Sequence, residues 1–378
     1  MRAFERWLIR SAFACALLTL HAFAQGPGFH VDVFPDSETY PRNSEGSIIE
    51  LTDGRLYLVG TRFYGGLADE AAANIVSRIS SDGGSTWSEP VVIQENVGTQ
   101  NVMSASLQRL TAERTPDGKR GAGPIGLFYL VTNSEVDLKV YLRTSTDEAK
   151  TWSEPLCVTN RPGYHVMNND RVVRLSTGRL LCPVAWTSDS GKVNHYTSLC
   201  FISDDQGRTW TAGTGSVDAP KRGAMEPEVI ERKDGSVLML IRTQTGRNYA
   251  AVSQDGGDSW GGAEPFGPAA PEAPSTLRRI PSTGDWLLIF NPVTDANADH
   301  GGQRTPLSSA ISKDEGKTWS TTRDIETRAD QAFAYTSLIF ANDRALMSYY
   351  VHDTNAKRIA TRFRSIPVSW FYEEEPNP

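Results

Sequence analysis

The 378-residue sequence predicts an all-β fold, a six-bladed β-propeller, and three observations carry the prediction. An octapeptide of the form Ser-x-Asp-x-Gly-x-Thr-Trp is written five times, at Ser80–Trp87, Ser145–Trp152, Ser203–Trp210, Ser253–Trp260 and Ser312–Trp319. Six strand-like segments precede or interleave these copies, and no long amphipathic helical pattern is present. Self-similarity at intervals of 50–65 residues marks a propeller or another repeat array.

The copies explain themselves chemically. Ser, Asp and Gly form turns, because short oxygens bond nearby backbone N–H groups and Gly accepts positive φ. The Trp ring fills the gap between neighbouring turns. Only the second copy loses its Gly, to Ala149, and the fourth has Ser259 in place of Thr. Apolar runs such as Tyr196–Ile202 and Tyr249–Val252 lead into the copies, so each reads as strand, tight turn, strand.

In chain order, residues 1–24 are expected to be a secretory signal: Arg2, Arg6 and Arg10, a short apolar run Ser11–Leu20, then Ala22-Phe23-Ala24 before Gln25. Residues 25–378 are expected to form the single propeller domain, secreted or periplasmic. The whole chain carries a net charge of −7, and without the first 24 residues −9. Such a balance argues against nucleic acid or an anionic membrane as a bulk partner. Three cysteines remain beyond residue 24: Cys157, Cys182 and Cys200. Cys182 and Cys200 lie in successive strand-like segments, as free buried thiols or as a bridged pair, and no metal-ligand spacing exists.

The six inner-strand candidates are Ser47–Leu51, Ser104–Leu107, Arg171–Leu175, Glu228–Glu231, Ser275–Arg278 and Thr336–Phe340. A sixth blade without a box falls at about 330–370, and Phe29–Phe34 is placed to pair with it and close the ring. Thr111–Gly123 and Asp295–Gly302 read as loop insertions. Propellers bind ligands on the axis near the start of the inner strands. There the sequence collects Arg42, Glu45, Asn101, Asn168, Asn169, Asp170, Arg171, Glu226 and Tyr335. His165 and His195 read as structural.

The five octapeptides resemble the Asp-box of the sialidase (neuraminidase) superfamily, whose members are six-bladed propellers with the boxes on the periphery. The run Glu226, Asp234-Gly235, Leu240-Ile241-Arg242 resembles that family's Glu…Asp-Gly…Arg segment. Asn291-Pro292, Arg304 and the fifth box resemble its Asn-Pro…Arg…Asp-box segment, and Tyr335-Thr336-Ser337-Leu338 its Tyr-Ser-x-Leu. The resemblance implies an exo-α-sialidase acting on sialylated glycans, with no metal or organic cofactor. Tyr335 would be the nucleophile, Glu226 its base, Asp69 the acid/base, and Arg42, Arg242 and Arg304 the carboxylate-binding triad. Sialidases depart from the two-carboxylate rule of glycosidases in this way.

The N-terminal half departs from the family pattern. Arg42 stands in Pro41-Arg42-Asn43-Ser44-Glu45 without the usual Arg-Ile-Pro, and Arg62 is its rival. Asp69, beside Glu70, has a solvated acidic loop as its plain alternative. Glu45, Asn101, Asn169, Asp170 and Arg171 join as substrate-binding candidates, an internal Asp170–Arg171 salt bridge being the alternative for the last two. An essential Glu45 or Asp170 would point to an inverting or otherwise divergent relative. A glycosidase or lyase for another acidic sugar, and a glycan-binding propeller without catalysis, stay open.

Overall fold

A computed structural model describes residues 28–111, 123–292 and 302–373. The expected signal segment, and most of both expected loop insertions, lie outside the described residues. The architecture is all-β: strands throughout, with one short 3-10 turn at Val368–Tyr372 and no α-helix among the described residues. None of them forms a helix long and apolar enough to cross a membrane.

Strand pairing among the described residues gives four sheets of eight, nine, four and four strands. The two larger ones each join two antiparallel runs through a short parallel pairing, Arg42 with Ile359 and Gly163 with Asp137. Six antiparallel runs, called units below, thus follow one another along the chain. Their first strands are Arg42–Glu50, Asn101–Arg109, Val173–Arg174, Met225–Glu231, Thr276–Arg279 and Gln331–Ala341. The third is shorter than expected, because Asn168–Val172 leave the ladder to make the axial bonds described below. The last unit takes its outer strand from the other end of the chain. Phe29–Phe34 pairs antiparallel with Arg358–Pro367, His30 opposite Arg364, as the sequence led us to expect.

Hydrophobic packing lies between units, not within them. Tyr57, Val59 and Ile75 of the first unit pack on Leu107, Leu127 and Tyr129 of the second. Phe128, Val140 and Leu142 of the second pack on Leu180, Val184 and Phe201 of the third. The series returns to its start, where Leu346, Phe363, Val33 and Phe34 of the sixth unit meet Ile48, Leu58 and Val76 of the first. Each sheet is therefore apolar on both faces, which explains why its central strands read as nearly continuous hydrophobic runs. Cys182 and Cys200 show the consequence. Cys182 is paired with Phe201 and Cys200 with Pro183, so the thiols face opposite sides of one sheet and fall in two different cores, both free.

A circle of hydrogen bonds ties the first strands together. Ser47 Oγ accepts from Leu107 N at 3.0 Å, and Ser106 Oγ from Val172 N at 3.1 Å. Arg171 pairs with Glu228 at 2.9 Å, and Glu228 accepts from Leu277 N at 2.9 Å. Thr276 Oγ1 donates to Thr336 O at 2.7 Å, and Ser337 Oγ accepts from Ile48 N at 3.1 Å.

The boxes sit at the opposite end of the strands from these axial residues. In the third copy, Ser203 Oγ donates to Asp205 Oδ1 and accepts from Gly207 N, while Asp205 binds both the N–H and the hydroxyl of Thr209. The same bonds recur in the other four, with Ser259 standing in for Thr in the fourth.

Candidate active site

One backbone device positions the site. In four first strands the ladder slips by a residue: between Ser44 and Ser47, Met103 and Ser106, Met225 and Glu228, and Ala334 and Ser337. At each slip a non-glycine residue takes positive φ: Glu45 (47°), Ser104 (55°), Glu226 (39°) and Tyr335 (60°). Asp170 of the third unit, beside Arg171, also takes positive φ (59°). A bulge re-aims one side chain, and left-handed backbone at a non-glycine residue is costly enough to persist only where surroundings enforce it. Here Tyr335 comes under the field of Glu45, Glu226, Arg242 and Arg304, and Arg42 under that of Glu45 and Tyr335.

Glu226 and Arg242 pair at 2.7 Å with side chains 9% and 2% exposed. Nε and Nη2 of Arg242 are buried and have no hydrogen-bond partner in the protein. Burial opposes the charge of Arg242, but Glu226 and the neighbouring Tyr335 outweigh it and raise its pKa. Arg304 lies over the Tyr335 ring, 5.3 Å from its centroid, and donates to the Tyr350 hydroxyl at 2.7 Å. Burial pushes the Tyr335 phenol well above its ordinary value and Glu226 adds to the push, while Arg304 and Arg242 pull it down.

Arg42, not Arg62, belongs to this group. Asn43 pairs across the ladder with Arg62, so Arg62 points to the other face, over the Tyr40 ring. Arg42 binds Glu45 at 2.7 Å and Asp69 at 2.6 Å, with its flat face 4.2 Å from the centre of Phe63. Burial opposes its charge, but the two carboxylates hold its pKa above the ordinary arginine value. Burial raises the pKa of Glu45, against the pull of Arg42. Asp69 stands on the loop after Phe63, and its carbonyl and that of Ala71 both accept from Asn101 Nδ2, at 2.5 and 3.0 Å.

The remaining candidates serve the frame. Asn169 Nδ2 binds the carbonyls of Gly46 and Tyr335, fixing two bulges at once. Asp170 and Arg171 do not pair with each other as the alternative reading had it. Asp170 accepts from Ser47 Oγ, Leu338 N and Arg278. Arg171, fully buried, binds Glu228 and the Ser275 carbonyl, and burial lowers its pKa to about 10. His165 is buried between backbone carbonyls, and burial lowers its pKa to about 4. His195 bonds Asp218 at an exposed position.

Sequence reasoning missed Glu228, Arg278 and Tyr350. Arg278 bonds both Asp170 and Glu228 beneath the site. Glu228 could have been flagged as a second carboxylate two residues after Glu226 on one strand. Tyr350 lies opposite Ala334 in the ladder, a register that no local motif announces.

A repeat-built β protein with buried arginines and carboxylates converging on one tyrosine defines a class, and comparison with known proteins gives the family. The BNR repeat-like domain matches residues 63–351, and the chain belongs to that family, within the sialidase superfamily. A sialidase of Paraclostridium sordellii is 30% identical over 233 residues, 57% of this chain and 56% of that protein. A sialidase of Micromonospora viridifaciens is 26% identical over 273 residues, 65% of this chain and 40% of that protein. The matches thus span about half the length of these relatives. Among solved structures, a Dyadobacter fermentans protein of unknown function aligns with TM-score 0.70 at 21% identity, over 89% of this chain and 98% of its own. The Trypanosoma rangeli sialidase in complex with the inhibitor DANA aligns at 0.69 and 16% identity, over 90% of this chain and 60% of its own.

Proposed function

We propose that the chain is an exo-α-sialidase, a glycoside hydrolase releasing terminal sialic acid, built as a six-bladed propeller and directed out of the cytoplasm by residues 1–24. The observation that carries this reading is Arg242: a buried guanidinium with Nε and Nη2 unspent, beside Glu226 and under the same electrostatic field as Tyr335 and Arg304. Buried donors without partners are costly, and a planar two-bond acceptor such as a carboxylate satisfies both at once.

In this scheme Arg242 and Arg304 bind the sugar carboxylate. The Tyr335 oxygen attacks the anomeric carbon and passes its proton to Glu226, while Asp69 protonates the departing oxygen. Water, deprotonated by Asp69, then cleaves the tyrosyl–sugar bond, and Tyr335 recovers its proton from Glu226. A phenol that burial keeps neutral needs such a base, and it approaches an anionic sugar without the repulsion a carboxylate would meet. No metal or organic cofactor enters.

Arg42 favours a second reading. Its guanidinium is occupied by Glu45 and Asp69, so two arginines remain for the substrate, which also suits another acidic sugar. A fluorogenic sialoside tests both: turnover by wild type, lost in Tyr335→Phe, supports the first. A retained α-anomer as the first-formed product, seen by proton NMR, supports a tyrosyl intermediate, and the inverted anomer removes it.

A further inference from the structure

Residues 217–224 lead into the first strand of the fourth unit and are strapped to the third. Val217 and Ser198 exchange backbone bonds at 2.7 and 2.8 Å, Tyr196 N donates to Arg222 O at 2.9 Å, and Ala224 N donates to Tyr196 O at 2.8 Å. One residue further on, Met225 pairs in the ladder with Arg242, and Glu226 follows. Side chains complete the strap. His195 stands between two oxygens, with the Lys221 carbonyl 2.8 Å from Nδ1 and Asp218 Oδ1 2.7 Å from Nε2. Asn194 Oδ1 accepts from Arg222 Nε at 2.8 Å. Arg222 Nη1 reaches on to Glu272 Oε1, a carboxylate whose side chain is 2% exposed.

A carbonyl and an ionised carboxylate only accept, so both nitrogens of His195 must donate. Neutral imidazole has one N–H, and its other nitrogen would turn a lone pair on an acceptor. Only the imidazolium closes both bonds. The Lys221 carbonyl and Asp218 accordingly raise the pKa of His195 above the ordinary 6.5. The other charged groups about it are Lys221 and Arg222 on the strap, the Asp189–Lys192 pair on the loop that carries it, and Glu272 beyond Arg222.

Glu272 is a buried carboxylate that the scheme above does not use. Its segment is pinned to the turn after Arg242: Ala270 N donates to Gly246 O at 3.1 Å, and Asn248 Nδ2 to Ser275 Oγ at 2.9 Å. Its charge therefore bears on Arg242, whose Nε and Nη2 are unspent. Such a guanidinium edge attracts any carboxylate within reach, and Arg222 keeps this one occupied.

Resting on the sialidase reading above, we propose that His195 and Arg222 are positioning residues: the imidazolium of His195 fixes the strap, the strap holds Arg222 on Glu272, and Glu272 is thereby kept from the edge of Arg242 that the substrate's carboxylate takes. A histidine whose pKa is raised in the fold contributes fully below 6.5 and ceases to as the pH rises through its folded value. Above that value one bond of the strap opens, Arg222 is held less firmly, and Glu272 competes for Arg242. The loss falls on binding, since Tyr335 stays in place, so KM rises while kcat holds.

The test is kcat and KM for a fluorogenic sialoside from about pH 5 to about pH 9, with wild type, His195→Gln, Arg222→Gln, and Arg222→Gln combined with Glu272→Gln. Wild-type KM is expected to rise about 2–5-fold across the His195 transition, the range of a partly exposed ion pair, and His195→Gln to lack that step. Arg222→Gln raises KM roughly 10-fold at every pH, as loss of one partner from a buried charge pair does. Removing the second charge, in the double variant, brings KM back toward the wild-type value, a rescue that a merely structural Arg222 would not show. Identical KM profiles for wild type and His195→Gln overturn the part given to His195, and absence of rescue overturns that given to Arg222. Should Arg222→Gln fail to fold, the comparison with His195→Gln decides. Turnover by wild type with these KM values unmoved sinks the strap alone, whereas no turnover of the sialoside by wild type removes the sialidase reading and the strap with it.

Discussion

The two ends of the strands are built on opposite plans. At the box end the bonds that shape each turn join residues no more than four apart, as from Asp205 to Thr209 and from Ser203 to Gly207, and longer reaches such as Glu148 to Arg109 are added to a turn already made. At the axial end, Asn169 bonds Gly46 across 123 positions, and Leu338 bonds Asp170 across 168. The first end can be assembled five times from one octapeptide. The second exists once, and only when all units are in place. Local construction gives a scaffold that tolerates change one copy at a time, and distributed construction gives a site in which no part has a spare.

Substitutions should separate the two ends by the kind of loss they cause. The largest effect is expected at Tyr335→Phe, with kcat for a sialoside lowered at least ~10³-fold and thermal stability nearly unchanged. A variant that instead melts early would make Tyr335 part of the frame. Next comes Asp170→Ala, which strips a buried carboxylate from Arg278, Ser47 and the Leu338 amide. About 3–5 kcal/mol of stability should go, read by urea unfolding; a loss below 1 kcal/mol would show that the axial bonds are incidental.

At the box end, Asp205→Ala should cost about 1–2 kcal/mol, as loss of a cap does, and leave KM and kcat alone. A change in turnover would mean that the two ends communicate. The smallest effect distinguishes one copy from its siblings. Ala149 holds φ +64° where the other boxes use Gly, so Ala149→Gly should stabilise by about 0.5–1 kcal/mol. The converse change at Gly84 should destabilise, since a Cβ there would meet the Phe363 ring at 2.1 Å. Acid adds a collective measure. Hydrogen bonds from their Thr and Ser partners hold the carboxylates of Asp82, Asp147 and Asp314 at about 2 instead of 3.8. Their folded values lie below the unfolded one, so their contribution is complete above pH 3.8 and is lost as the pH falls through 2. Asp205, held at about 2 as well, behaves alike, so Asp205→Asn should lower stability at neutral pH and flatten the profile as the pH falls from 3.8 through 2.

The same contrast explains what could be read in advance. Box turns and strand alternation are local, so the all-β fold, the placement of Phe29–Phe34 against the last strand and the inner-strand positions were legible. Tyr335, Glu226 and Arg242 could be picked out because each stands in a short motif on a strand. What escaped was partnership. That Arg42 would meet Glu45 and Asp69, that Asp170 would pair with Arg278 instead of Arg171, and that Tyr350 would bind Arg304 all depend on bulges and on distant strands side by side. A left-handed φ at Glu45 or Tyr335 leaves no mark in residue type, because neither is glycine.

The strand Phe29–Phe34 has a consequence for how the molecule is made. It belongs to the unit whose other strands follow all the rest described: Arg362 of its partner strand binds Asp32, 330 positions earlier. Five units can condense in order as the chain emerges, but the sixth waits with one slot empty until its outer strand is recovered from the start of the chain. Closing so long a loop costs entropy before any contact rewards it, and contacts of high sequence separation slow folding. Completing this fold therefore takes a late stitch between strands 330 positions apart, and the earlier strand must stay available, unaggregated, until the later one is made.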